Sequence, residues 1–242
     1  IIKRLKNLLK KVLIKRDTEP TLTSFIMSLV SITMTVMLII ITISTLGINT
    51  TSIAALLAAG GMAIGMALSG TVQNFAGGIM ILLFKPFKAG DFITAQGYTG
   101  TVREVSIVST TIVTTDNRVV ILPNGSLSNG NIDNYSKNAL RRVDWNVGFE
   151  YGIDAQGCID EIISILKEDD RILDSTTKGA ADPFAAVFSL NDSSVEFVVR
   201  AWVKSENYWD VFFDFNKNVY TEMPKRGYGF PFPQMDIHLK TK

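Results

Sequence analysis

Hydrophobic and polar positions follow three regimes along the chain. From Thr21 to Phe84 there is no Asp, Glu, Lys or Arg. Inside that run, Leu22 to Leu46 supplies 25 consecutive uncharged residues, where a spanning helix needs about 20. The stretch is rich in β-branched residues, but strands do not run to this length, so it predicts a lipid-facing helix. "GINTT", Gly47 to Thr51, is the turn-like break before a second helix that starts near Ser52. After Lys85 the residues alternate and are dense in Val, Ile and Thr. Turn signals at Ala95-Gln96-Gly97, Asp116-Asn117 and Asn124-Gly125 divide them into four or five short strands ending near Tyr135. From Arg141 the pattern changes again. "RRVDWNVGFEY" reads as a strand, followed by a helix with Asp154 at its N-cap. "PFAAVFSL" and "SSVEFVVRAWV" read as a strand pair around Asn191-Asp192, then comes a helix ended by Pro224, then a last strand, "QMDIHL". The order βαββαβ is ferredoxin-like.

The second apolar helix is unusual. Leu56 to Gly78 carries six glycines and no charge. In water each interior Gly costs a helix about 1 kcal/mol against Ala. In lipid, small residues let helices approach closely. At about 100° per residue, Ala55, Met62, Met66 and Ser69 share one face. Ala59, Ala63 and Ala67 form a ridge on one flank, while Ala58, Gly61 and Gly65 line a groove on the other. One copy's ridge can seat in the next copy's groove, a heterologous contact that closes a ring by repetition. Met62 and Met66 then face the axis. Gly61 and Gly65 alone also fit a two-helix Gly-xxx-Gly contact, so a dimer remains the alternative. A straight helix to Phe84 would be about 50 Å long against a hydrocarbon core of about 30 Å. A bend near Gly70, with a second at Gly77-Gly78, brings the last turns along the membrane surface.

Charge sets the orientation. The first 20 residues hold seven Lys or Arg against two acids, which leaves 17 of the 24 bases and 21 of the 23 acids, all of them beyond Phe84. Lys85 and Lys88 follow the second span. Both basic flanks are expected on the cytoplasmic side, with the hairpin tip near Asn49 outside. The chain begins at Ile1, and a further span is expected upstream. The acidic balance of the body argues against nucleic acid as a partner. Arg141 and Arg142 read as a basic patch, and Asp169 and Asp170 as a helix-end surface. Catalytic signals are weak. His238 is the one histidine, which removes His-based triads and multi-His metal sites, and Asp236 with His238 reads as a solvated pair. Cys158 is the one cysteine and reads as a helix residue of a reducing compartment. No catalytic residue, metal or cofactor is expected.

"AAGGMAIGMALSG", "FKPFKAGDFI", "GTVREVSIVSTTIVTTDNRVVILPNG", "NYWDV" and "PFPQMDIHL" together resemble the small-conductance mechanosensitive channel family of bacterial inner membranes. The resemblance runs over nearly the whole chain. It implies a membrane α-helical pore region, a cytoplasmic all-β (Sm-like) domain, a ferredoxin-like α+β domain and a C-terminal strand in an intersubunit barrel. The corresponding segments are 1–20, a basic cytoplasmic stretch after a missing first span; 21–48, an outer transmembrane helix; and 51–86, a pore-lining helix kinked near Gly70. They continue with 87–136, the β-domain; 137–231, the αβ-domain; and 232–242, the barrel strand. The resemblance also implies a homoheptamer, whereas the helical wheel gives a ring of unspecified size.

By position, the resemblance places an apolar pore gate at Met62 and Met66 and bends at Gly70 and Gly78. It places tension coupling where Phe25 packs on Leu68 and Val72. Ala55, Ala58 and Ser69 would line the pore, with Ala59, Ala63, Gly61 and Gly65 packing its helices. The family's usual Leu rings are Met here, Ser69 stands for a common Gln and Ala58 for a common Gly. The implied function is a tension-gated channel, not an enzyme, in the bacterial inner membrane, multi-pass with a cytoplasmic body. Its partners would be membrane lipid, copies of itself, and permeating ions and small osmolytes released on hypoosmotic shock. The alternatives are a ligand-regulated solute exporter on the same scaffold and a receptor whose ferredoxin-like domain binds a ligand. Carriers usually place ionisable groups at mid-membrane, and this charge-free run has none.

Overall fold

The structure is a computed structural model that describes residues 19–238. The basic segment expected at 1–20 lies almost wholly outside these residues, as does the end of the expected barrel strand. The chain divides into two compact units, Ile1–Gln73 and Asn74–Lys242.

Two long helices open the described chain, α1 (Pro20–Thr45) and α2 (Thr51–Phe84). Both are long and apolar enough to cross a membrane. Pro20 starts α1 at a position where a missing N–H costs nothing. The polar residues in α1 are tolerated because their hydroxyls bond back to the helix. Thr33 donates to the Leu29 carbonyl at 2.9 Å, Thr35 to Ser31 at 2.8 Å and Thr42 to Leu38 at 2.8 Å. These three hydroxyl hydrogens are thereby paired inside the helix rather than left facing an apolar solvent. Gly47, with φ of 79°, lies just past α1, and Asn49 Oδ1 accepts the Thr51 N–H at 2.9 Å to cap α2. The expected hairpin turn is therefore built by its Gly and Asn. α2 then runs unbroken through Gly70, where the sequence predicts a bend. It ends at Phe84, after which Lys85 takes φ of 47° ahead of Pro86, a residue that cannot continue a helix.

Five strands follow: β1 (Phe92–Ala95), β2 (Tyr98–Val105), β3 (Ser109–Thr114), β4 (Val119–Pro123) and β5 (Ile132–Asn134), in sheet order β4-β3-β2-β1-β5. All pairings are antiparallel. Gln96 and Gly97 both take positive φ in the β1–β2 turn, the geometry of a tight hairpin. Ile93, Val102, Ile112, Leu122 and Leu127 form the core, and Ile81 of α2 joins them. Asn124-Gly125 is not the expected turn. It opens a short helix, α3 (Asn124–Asn129), because the Asn124 side chain is completely buried and bonded inward rather than facing solvent.

The αβ-domain comprises β6 (Leu140–Phe149), α4 (Ala155–Lys167), β7 (Phe184–Leu190), β8 (Val195–Lys204) and α5 (Tyr208–Glu222), with sheet order β6-β8-β7. Asp154 caps α4 by accepting the Gln156 N–H at 3.1 Å. Alternation puts Val143, Trp145, Val147 and Phe149 of β6 on the buried face. Cys158, Ile162 and Ile165 of α4 and Val211, Phe215 and Val219 of α5 cover them at helical spacing. The fourth ferredoxin-like strand is absent among the described residues. Residues 234–238 join no sheet among the described residues, the Gln234 N–H donating instead to the Ser193 hydroxyl at 3.1 Å, and a strand needs a neighbouring edge to bond.

Asp169, just past α4, is held by the Arg171 guanidinium through two bonds of 2.9 and 2.7 Å, and Arg171 also reaches Asp214 of α5 at 2.7 Å. These bonds to the cation hold the Asp169 carboxyl below its ordinary range. A carboxyl lowered in the folded state stabilises above its unfolded pKa and loses that contribution as pH falls through the folded value. Asp169→Asn should therefore cost on the order of 1 kcal/mol in urea unfolding at pH 7, and the difference from wild type should shrink as pH falls below the ordinary Asp value of about 3.9. A difference constant from pH 7 to pH 3 would remove the ion pair from the account.

Candidate functional site

The expected functional face lies on α2. Met62 and Met66 are one turn apart and 68% and 66% exposed, on the same helix face as Ala55 and Ser69. The Ala59 and Ala63 ridge and the Ala58, Gly61 and Gly65 groove are exposed as well. A Cβ added at Gly60, Gly61, Gly65 or Gly70 would meet nothing within 4 Å. Among the described residues nothing therefore requires these four glycines. Phe25, Leu68 and Val72 are also all more than half exposed, so the single chain does not bury the coupling residues on one another.

The last two glycines of α2 behave in the opposite way. A Cβ on Gly77 would lie 2.5 Å from the Asn124 carbonyl oxygen, and one on Gly78 would lie 1.9 Å from the Ile107 carbonyl oxygen. Backbone touches backbone here, and only glycine fits. Around the contact, Asn124 Nδ2 donates to the Ser106 carbonyl at 2.8 Å while its Oδ1 accepts the Thr110 hydroxyl at 2.8 Å. The Asn124 N–H donates to Val108 at 3.1 Å. The Gly125 N–H, an orphan donor of the first turn of α3, is taken by Asn74 Oδ1 of α2 at 2.9 Å. Ile81 completes the seam one turn later. From its pattern Gly78 reads as a bend. The structure adds a packing role that the sequence reading missed, and Asn74, three residues before a Gly-Gly pair in an apolar run, was the available signal.

The linker from α2 into β1 is equally fixed. The Asp91 carboxylate is buried and accepts the Lys88 N–H at 3.1 Å and Asn134 Nδ2 at 2.8 Å. Asn134 also donates to the Pro86 carbonyl at 3.1 Å. The remaining candidate chemistry is structural in character. Cys158 is buried, and burial pushes its thiol up to about 12, so it stays protonated. Arg142 forms a two-point pair with Asp144 at 2.6 and 2.8 Å, whereas Arg141 lies over the Tyr135 and Tyr208 rings. Asp236 and His238 are exposed. Among the described residues no three His, Cys, Asp or Glu side chains come together as a metal site.

Comparison with known proteins gives consistent matches. Residues 70–137 match the family model described as mechanosensitive ion channel, beta-domain, and residues 143–227 match the one described as mechanosensitive ion channel MscS, C-terminal. An MscS family protein of Buchnera aphidicola subsp. Baizongia pistaciae is 33% identical over 244 residues, covering 99% of this chain and 84% of the relative. The small-conductance mechanosensitive channel of Edwardsiella ictaluri is 42% identical over 182 residues, 75% of this chain and 62% of that protein. The crystal structure of Helicobacter pylori MscS in its closed state superposes with a TM-score of 0.86 at 30% identity, covering 100% of this chain and 93% of that one.

The glycine seam is directly testable. Gly78→Ala forces backbone apart and should cost about 1–3 kcal/mol, seen as a fall in melting temperature of about 2–4 °C per kcal/mol. Gly65→Ala, which meets open space in the single chain, serves as the comparison. Unchanged melting of the Gly78 variant would mean that the helix does not sit this close.

Proposed function

This chain belongs to the MscS family of mechanosensitive ion channels, and we propose that it opens under membrane tension to release ions and small osmolytes on hypoosmotic shock. The observation that carries this reading is α2. One uninterrupted, charge-free helix carries Met62 and Met66 on a single face, and its two flanks are made of residues too small to need partners inside the chain. Copies packed flank to flank leave only the methionine face free to point at an axis.

In this proposal the assembly is a homoheptamer in the bacterial inner membrane, with the body after Lys88 in the cytoplasm. Rings of Met62 and Met66 make an apolar throat that water vacates, so ions meet a barrier without a physical plug. Ala55, Ala58 and Ser69 line the remaining pore, and Ala59, Ala63, Gly61 and Gly65 set the spacing between helices. Opening widens the protein in the membrane plane, and tension multiplied by the added area is the work that drives it. α1 faces lipid and passes that work on through Phe25, which reaches Leu68 and Val72 once the membrane part is assembled. Gly70 is the proposed position of bending, whereas Gly78, whose pattern also reads as a bend, is held against the Ile107 carbonyl.

Replacing either pore methionine with Asn adds a donor and an acceptor in every subunit, and a polar ring holds water. Met62→Asn or Met66→Asn should therefore conduct at zero applied pressure in patches and slow growth of expressing cells. Leu at both positions should keep the throat dry and the tension response intact. Asn variants that assemble normally and stay silent at rest would place the barrier elsewhere.

Coupling has its own test. Phe25→Ser removes the aromatic bulk that links the outer helix to the pore helix, and pressure ramps should show a higher opening threshold at normal assembly. An unchanged threshold would remove Phe25 from the tension path.

A further inference from the structure

A cavity of about 700 Å³ opens between the β-domain and the αβ-domain, and no step of channel opening uses it. Its size falls within the roughly 300–1,000 Å³ typical of small-molecule sites. Short bonds fix its αβ-domain wall, where the Ser205 N–H donates to the Ala139 carbonyl at 2.8 Å and the Ser205 hydroxyl donates to the Asn138 carbonyl at 2.6 Å. Across the boundary, Arg141 of the αβ-domain lies over the Tyr135 ring of the β-domain.

Three chemistries meet in its lining. Arg141 and Lys204 supply two cations, Phe92, Tyr135 and Trp209 supply flat apolar surface, and Glu206 supplies the one carboxylate. The Arg141 guanidinium lies 3.7 Å from the Tyr208 ring centroid and 4.9 Å from that of Tyr135. Stacking on rings fixes the plane of the guanidinium and leaves its N–H edge as the free surface. Among the described residues, no carboxylate pairs with Arg141 or Lys204. Trp209 stacks on Phe213 at 5.8 Å yet remains 55% exposed.

We propose that this cavity binds a nucleoside phosphate, its phosphate on Arg141 and Lys204 and its base on Trp209. A simple aromatic acid would satisfy the cations and the rings but offer Glu206 no donor. A nucleoside phosphate also brings hydroxyl and amine donors that a carboxylate accepts. A two-point bond from a guanidinium edge to a phosphate is the strong form of this contact. Binding there would tie the two domains together and give the cytoplasmic body a response to small anions.

The test is calorimetric titration of AMP into the purified full chain in detergent, followed in parallel by tryptophan fluorescence. AMP should bind saturably and quench the fluorescence. Adenosine and inorganic phosphate should each bind at least tenfold more weakly. Lys204→Ala, at an exposed position, and Arg141→Lys, which keeps the charge but loses the two-point edge, should each weaken AMP about tenfold at unchanged elution volume. Trp209→Leu should abolish the quench. Absence of saturable AMP binding, equal binding of phosphate alone, or indifference to Lys204→Ala would overturn the proposal. So would exclusion of AMP combined with a change of oligomer size in Lys204→Glu, which would mean that a neighbouring copy fills the cavity. No current is measured, so failure here leaves the channel reading standing.

Discussion

The backbone contact between Gly77-Gly78 of α2 and the Ile107 and Asn124 carbonyls is the constraint on which the rest of the structure depends. It fixes the end of an apolar helix on a β-sheet with no side chain between them. Such closeness is stable only if the polar groups trapped beside it are paired. Asn124 meets that condition. Its amide bonds Ser106 and Thr110, its own N–H bonds Val108, and Asn74 takes the next N–H in the chain. Removing any one of these would leave a buried donor or acceptor unmet, so the seam is cooperative in a way that an apolar contact of equal area is not.

The strongly periodic parts of this fold were legible in the sequence. Two uncharged runs longer than a bilayer needs could only be helices, and the alternating Val, Ile and Thr segments could only be strands. The Gln96-Gly97 and Asn191-Asp192 turns, the Asp154 cap and the Pro224 stop all stand where local chemistry put them. What was not legible depended on distant partners. Asn124-Gly125 carries a turn signature, and the competing claim on Asn124 comes from Ser106 and Thr110, which no local pattern reveals. "QMDIHL" has the composition of a strand, yet among the described residues no sheet edge pairs with 234–238. Arg141 and Arg142 look alike in sequence, but one pairs with Asp144 and the other lies on tyrosine rings.

The candidate gate rests on spacing, which puts Met62 and Met66 on one face. Every side of α2 from residue 51 to 73 is exposed in the single chain, so exposure does not single that face out. The family membership adds what a wheel cannot, namely that such chains act as mechanosensitive channels. Neither source distinguishes the glycines of α2 from one another. Only the space around each does so, since four have room for a Cβ and two lie against backbone.

That separation has a consequence for how the proposed channel moves. Below Asn74 the helix is pinned by two backbone contacts, an amide bond and Ile81 in the sheet core. A pinned segment cannot take up rotation of the helix above it without breaking those bonds. Any rearrangement of the methionine face must therefore be absorbed N-terminal to Asn74, the same point at which the chain divides into its two compact units. Between Met66 and Asn74 the one residue without a Cβ is Gly70, and open space surrounds it. An unhindered glycine loses the least when φ and ψ change. Within the proposal, Gly70 is thus the natural site of bending, and Gly78, held against Ile107, marks the fixed end from which that bending is measured.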